Sequence, residues 1–306
     1  MKKKLLILSV IAPLLVACDS SYEITTDFSY NNPNIKIADT LENVSNQKAH
    51  IVFLYGQSNA EGSSRISYLK EKDENAYNEY MKGYDNVYIN FINHGGLYTS
   101  NFEFVKSTLG FGYDNTMFGP EVGISDVMSK KYPNENTFII KWAYGGSTIR
   151  YDWLNNHHER GLFYNDAMDF SLKCLDYLIS KGYSLSLDGI CWMQGESDAY
   201  NNDEEAYYRD TIAFVSGLRR DFAKYQKEIK WVDAAIYDGP NMWFYPVAIN
   251  NAKIRYSKKS DLNYYIDTNA LGIKTNTEPV GNVDFAHYDS VSMVNLGKEF
   301  GKIVSN

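Results

Sequence analysis

Residues Ile51–Gly62, IVFLYGQSNAEG, decide the fold. The apolar run Ile51–Leu54, with polar text on either side, reads as a short strand buried on both faces. It leads into Gly56, where the backbone can take a path that a Cβ would obstruct, and then into Gln57 and Ser58. In an open α/β sheet, ligands and reactive groups gather at the carboxyl ends of strands. Ser58 therefore stands where a nucleophile belongs, provided a base reaches it. Read alone, the stretch is equally a polar turn with Asn59 opening a helix.

Outward from this strand the chain alternates. Val87–Ile92, Phe138–Ala143, Gly189–Met193, Trp231–Ile236 and Asn263–Ile266 read as further strands. Helices are predicted over Glu121–Tyr132, Tyr164–Lys181, Asp203–Tyr225, Val247–Ser257 and Ser290–Val304. Met168, Leu172, Leu175 and Ile179 share one face of the second of these, and Ile212, Val215, Leu218 and Phe222 form a stripe on the third. Alternation of this kind implies a mostly parallel sheet with helices on both faces, a three-layer α/β/α domain. With 44% hydrophobic and 22% charged residues in 306, the chain can bury one large core, and no composition break divides residues 49–306.

The N-terminus reads differently. Lys2–Lys4 and the apolar Leu5–Leu14 form an export signal too short to span a membrane. Leu15-Val16-Ala17-Cys18 resembles the lipobox of bacterial lipoproteins, which implies cleavage after residue 17 and a lipid on Cys18. The expected location is outside the cytoplasm, anchored to a membrane and facing periplasm or cell surface. Residues 18–48, rich in Ser, Thr, Asn and Asp, read as a polar tether reaching about 30 Å, with a short strand near Ile35–Ala38. A net charge of −8 makes nucleic acid an unsuitable partner. Cys174 and Cys191 fall in a helix and a strand pattern and read as buried thiols; no Cys or His cluster has metal-ligand spacing.

A serine nucleophile needs a base, and the chain has 5 histidines. His287 lies in Val283-Asp284-Phe285-Ala286-His287, with Asp284 three residues earlier, so one turn presents both side chains together. A carboxylate accepting from Nδ1–H holds the imidazole in the productive tautomer. Two other strand ends offer donors for an oxyanion: Tyr144-Gly145-Gly146-Ser147 through its backbone and Gln194-Gly195-Glu196-Ser197-Asp198 through the Gln194 amide. Trp153 and Trp243, in loop text, offer flat faces to a sugar, whereas Trp192 sits within a strand and reads as core.

Taken together, GQSNAEG, the GGS after the third strand, WMQGESD and the late DFAH resemble the SGNH-hydrolase superfamily, and more closely its carbohydrate-esterase branch of sialic-acid-specific and xylan acetylesterases. The resemblance spans about residues 51–304. It implies Ser58 as nucleophile, His287 as base and Asp284 as orienting carboxylate. Ser58 and Gly146 N–H and the Gln194 amide would form the oxyanion hole. Glu196 is a second candidate for orienting His287, and Asp284 is preferred. Gln57, Asn59 and Trp153 are expected to face the substrate, an acetylated carbohydrate, with no metal and no cofactor. A lipase or thioesterase of the same superfamily and a non-catalytic glycan-binding lipoprotein are the alternatives.

Overall fold

The computed structural model describes residues 22–200, 203–239, 242–276 and 284–306. The signal segment and Cys18 lie outside them. The chain runs β1 (Gln47–Gly56), α1 (Ser58–Glu61), β2 (Ser64–Arg65), α2 (Ile66–Lys72), α3 (Glu74–Lys82), β3 (Val87–Asn93), β4 (Tyr98–Thr99), β5 (Val105–Lys106), β6 (Met117–Phe118) and α4 (Glu121–Lys131). It continues with β7 (Asn136–Ala143), α5 (Leu162–Ser180), β8 (Tyr183–Met193), α6 (Glu204–Phe222), β9 (Trp231–Ala234), α7 (Pro246–Ser257), β10 (Asn263–Ile266), β11 (Thr275–Asn276), β12 (Asp284–Tyr288) and α8 (Ser290–Val304).

β1 is central because its middle residues, Ile51 to Tyr55, are apolar on both faces and fully buried. It pairs in parallel with β7 on one side and β8 on the other. The parallel sheet runs in the order β10-β9-β8-β1-β7-β3, and β4 and β5 add to β3 antiparallel. After β1 the chain builds the β7–β3 side first and then crosses to β8. The crevice at such a switch point, outside the strand ends, is where ligands bind in open α/β sheets.

Alternation along the strands makes the two faces. Tyr55 Oη bonds Ser171 Oγ on α5 at 2.5 Å, and the Phe53 ring stacks on Phe222 of α6 with centroids 4.5 Å apart. Lys141 of β7, level with Leu54, points the other way and meets Glu121 of α4 at 2.9 Å. α4 in turn packs along α8. The expected three layers are present.

Several boundaries differ from the sequence reading. β8 begins at Tyr183 rather than Gly189, and β9 ends at Ala234 rather than Ile236. α2 and α3 were not expected, since Lys-Glu-Lys-Asp-Glu-Asn text carries no apolar stripe. On α5, Ile179 is exposed, and the buried face runs through Cys174, Leu175 and Leu178. Cys174 and Cys191 are free and buried.

The tether expectation fails for residues 22–46. They form no strand, but they lie against the body, with Ile24 and Ile35 buried. Tyr30 Oη donates to Asp166 at 2.8 Å, Asn32 N to Asp169 at 2.9 Å, and the Val44 N–H to the Lys181 carbonyl at 2.7 Å. Polar composition hid a strap held both by these hydrogen bonds and by Phe28, Ile37, Leu41 and Val44 packed against the core.

Candidate active site

The nucleophile candidate is presented by a sharp turn out of β1. Gly56 has φ +148°, and a Cβ there would lie 2.0 Å from the Met193 carbonyl oxygen of β8. Gln57 N–H then donates to that carbonyl at 3.0 Å, and the Gln57 carbonyl accepts from Ala60 and Glu61 N–H, closing the single turn of α1. Ser58, first in that turn, is half-buried and opens onto a cavity of about 620 Å³. Gly56 is level with Ala143 of β7 and Met193 of β8, so the loops after all three strands converge there. Gly146, at φ +77°, lines the same cavity. Neither Ser58 N–H nor Gly146 N–H is taken by an acceptor among the described residues.

His287 reaches this cavity from β12. Asp284 shapes its own turn: Oδ1 accepts from Ala286 N–H at 2.9 Å and His287 N–H at 3.2 Å, while Oδ2 lies 2.7 Å from His287 Nδ1. Burial by itself would raise the Asp284 carboxyl, but the hydrogen bond and charge of His287 and the two N–H groups hold it below its ordinary value. Asp289 then caps α8, its side chain accepting from Ser292 N–H at 2.7 Å, which fixes the exit of the strand. Ser58, His287 and Asp284 thus line one cavity, with Asp284 against the imidazole.

Glu196 takes a different position. Its Oε1 accepts from Asn59 Nδ2 at 2.7 Å. It makes no hydrogen bond to His287, and burial raises its pKa. The same Asn59 Nδ2 donates to the Ala286 carbonyl at 3.0 Å, and Asn59 Oδ1 accepts from Tyr288 N–H at 3.1 Å. Asn59 is a buried clasp between the Ser58 turn and the histidine strand, so the expectation that it faces substrate is corrected.

Gln194 is also corrected. It is fully buried, its Nε2 donating to the Ser147 carbonyl at 2.9 Å and to Asp198, and its Oε1 accepting from Tyr207 of α6 at 3.0 Å. With both amide hydrogens committed, it braces the Gly145–Ser147 turn from behind. Gln57, by contrast, lines the cavity, and its Oε1 accepts from the N–H groups of Gly195 and Ser197 at 3.3 Å each. Trp153 is core, fully buried with Nε1 on Ser147 Oγ at 3.1 Å, so its expected sugar contact is excluded. Trp192 is core as read, and Trp243 lines the cavity beside Tyr200.

One residue went unnoticed in the sequence. Glu61, three residues after Ser58 on the same turn, is fully buried yet borders the cavity, and neither carboxyl oxygen has a close hydrogen-bond partner. Burial pushes its pKa up to about 7, against the weaker pull of Lys141, the N–H groups of His94 and Gly145, and His287. No local signal marks a glutamate for burial.

A serine, a paired histidine and free backbone N–H groups at one switch-point cavity are the parts of an acyl-transfer site. Residues 48–306 match the family model described as carbohydrate esterase, sialic acid-specific acetylesterase. The chain belongs to that family. The esterase also shares its fold with a solved protein of Arabidopsis thaliana, at TM-score 0.61 and 15% identity over 83% of this chain and 97% of that one. A second fold neighbour is NanS, at TM-score 0.57 and 14% identity over 85% of this chain and 98% of that one. No curated protein matches it. Among the described residues of the esterase, no His, Cys, Asp and Glu group is placed to hold a metal ion, and no helix is long and apolar enough to cross a membrane.

Proposed function

We propose that this esterase removes O-acetyl groups from a carbohydrate through an acetyl-enzyme on Ser58. The observation that carries the reading is the 2.7 Å contact of Asp284 Oδ2 with His287 Nδ1 at the cavity that Ser58 enters. Ser58 Oγ attacks the acetyl carbonyl carbon while His287 Nε2 takes the hydroxyl proton, and Asp284 stabilises the imidazolium. The oxyanion accepts from Ser58 and Gly146 N–H, with Gln57 Nε2 available beside them. Collapse breaks the ester bond, and His287 returns its proton to the departing sugar oxygen. Water then gives a proton to His287, attacks the acetyl carbon and releases acetate, and Ser58 recovers its hydrogen.

A sugar suits the walls better than an acyl chain. Tyr113, Tyr200 and Trp243 supply flat faces, and Arg65, Gln57 and His94 supply polar edges. This favours the acetylesterase over a lipase or thioesterase, and an intact histidine–aspartate pair argues against a purely binding role. Export and a lipid on Cys18 complete the proposal, which rests there on the N-terminal sequence alone. Acetate release from acetylated xylan, acetylated sialosides and acetylated peptidoglycan tests it. Ser58→Ala should lose nearly all turnover with an unchanged fold; activity within tenfold of wild type would overturn the assignment. Faster turnover of long-chain than of acetate esters would favour the lipase.

A further inference from the structure

One carboxyl lies buried at the reaction centre and has no part in the chemistry above. Glu61 ends the single turn that Ser58 opens, and its side chain is fully buried. It reaches the loop that carries Gly146. A Cβ on Gly145 would stand 3.0 Å from Glu61 Oε2 and 3.6 Å from Ser58 Cβ, so a side chain there would crowd the carboxyl. The N–H groups of Gly145 and His94 approach the carboxyl from their two loops and favour its charge. Neither completes a hydrogen bond with it, and Gly145 N–H meets no other acceptor among the described residues.

Counting charges shows why the carboxyl is unanswered. Lys141, fully buried beside it, donates to the Glu61 carbonyl and the Phe111 carbonyl at 2.7 Å each and to Glu121 Oε2 at 2.9 Å. Its three hydrogens are all in use, and Glu121 of α4 matches its charge. Glu61 is a second carboxyl beside one cation. On the cavity side stand His94, whose ring stacks on Tyr144 at 4.8 Å, and His287 with Asp284. Burial outweighs all of these and keeps the proton on Glu61 up to about pH 7. The group therefore changes state in the neutral range. Once ionised it accepts hydrogen bonds about twice as strong as those to a neutral acceptor.

We infer that Glu61 is a positioning residue, whose ionised carboxyl holds the Gly145 N–H and so aims the next N–H, that of Gly146, at the oxyanion. This rests on the esterase reading above and adds a residue to its machinery. The loop is fixed at both ends and not between. Tyr144 N–H donates to the Gly56 carbonyl at 3.1 Å, and Gln194 Nε2 donates to the Ser147 carbonyl at 2.9 Å. Around Gly146, at φ +77°, the space where a Cβ would stand is open. Glu61 is the polar group that addresses the middle of the loop from below, and it sits on the same turn as Ser58. One charge thus registers the oxyanion donor against the nucleophile. Below neutrality the proton returns and the grip on the loop weakens.

The test compares wild type, Glu61→Gln and Ser58→Ala for acetate release from 4-nitrophenyl acetate across pH, with urea unfolding to show that each is folded. An oxyanion donor that is misaimed keeps only part of its effect, so at about pH 8 Glu61→Gln should have kcat/KM about tenfold below wild type. At about pH 5 both side chains are neutral and the two rates should coincide. A merely structural residue gives a ratio that does not vary with pH. Amide spectra of [15N]glycine-labelled protein supply a second readout without turnover. The Gly145 amide proton should move downfield as Glu61 ionises, in wild type and Ser58→Ala alike, and lose that shift in Glu61→Gln. A rate ratio constant across pH, faster turnover by Glu61→Gln at about pH 8, or a Gly145 amide that titrates identically in both proteins would each overturn the inference. Failure of the esterase reading looks different: the wild type releases no acetate, or Ser58→Ala releases it as fast, and the role of Glu61 falls with it.

Discussion

Glu61→Gln probes the carboxyl buried beside Ser58, the proposed nucleophile. In the fold its pKa stands at about 7 against an ordinary 4.5, because burial disfavours the charge more than Lys141, the His94 and Gly145 N–H groups and His287 favour it. Between those two values the native state keeps a proton that the unfolded chain has released. Its stabilising contribution is therefore complete below the ordinary value and is lost as pH rises to about 7. A shift of that size corresponds to about 3 kcal/mol. Glutamine keeps the shape and cannot ionise. The variant should match the wild type at about pH 4 and exceed it by up to about 3 kcal/mol at about pH 8, as read from urea unfolding curves across that range. Glu196, Asp210 and Asp233 also have raised pKa values through burial, but they are common to both proteins and cancel in the difference. Parallel pH–stability curves for the two proteins would show that Glu61 is already ionised in the fold, and the reasoning from burial would be refuted.

Three further outcomes are expected. Asp284→Asn should cut kcat steeply, about 10⁴-fold by analogy with a serine protease triad, while Glu196→Gln costs far less because Glu196 acts on Asn59; the reverse ranking in acetate-release assays would reassign the orienting carboxylate. Gly56→Ala forces a Cβ to 2.0 Å from the Met193 carbonyl and should cost about 3 kcal/mol or more, together with most activity; a melting temperature equal to wild type would contradict the described turn. Cys18→Ala should abolish lipid labelling in cells and release the protein from the membrane fraction, and unchanged attachment would remove the proposed anchor.

The sheet was legible because its central strands carry their apolar runs in the open. Ile51–Leu54 and Phe138–Ala143 need no partner to be recognised. β8 was cut short although Tyr183–Asp188 alternates apolar residues with serine and aspartate, a period-two strand pattern that its pairing with β1 realises. The histidine–aspartate pair was legible for a local reason: three residues and one turn suffice. Gln194 was misread for the opposite reason, since what turns its amide inward is Tyr207, thirteen residues on and in another layer. Trp153 stands in polar loop text, yet it fills the space among Tyr55, Trp142 and Trp192. Burial of Glu61 and exposure of Arg65 are properties of the assembled cavity, and neither spacing nor composition carries them.

The clasp made by Asn59 also has a consequence in time. Its two bonds to the histidine strand join residues 227 and 229 positions apart. A growing chain therefore displays Ser58 long before it owns His287, the proposed base, and contacts that distant in sequence are among the slowest to close. On the proposed mechanism, half-made or half-folded forms hold an inert hydroxyl rather than a slow, indiscriminate esterase. For a protein exported as proposed, reactivity is withheld throughout synthesis and passage, and it switches on when the last strand docks. Appearance of acetate-releasing activity thus reports completion of folding, with no separate pro-segment needed to keep the nucleophile silent.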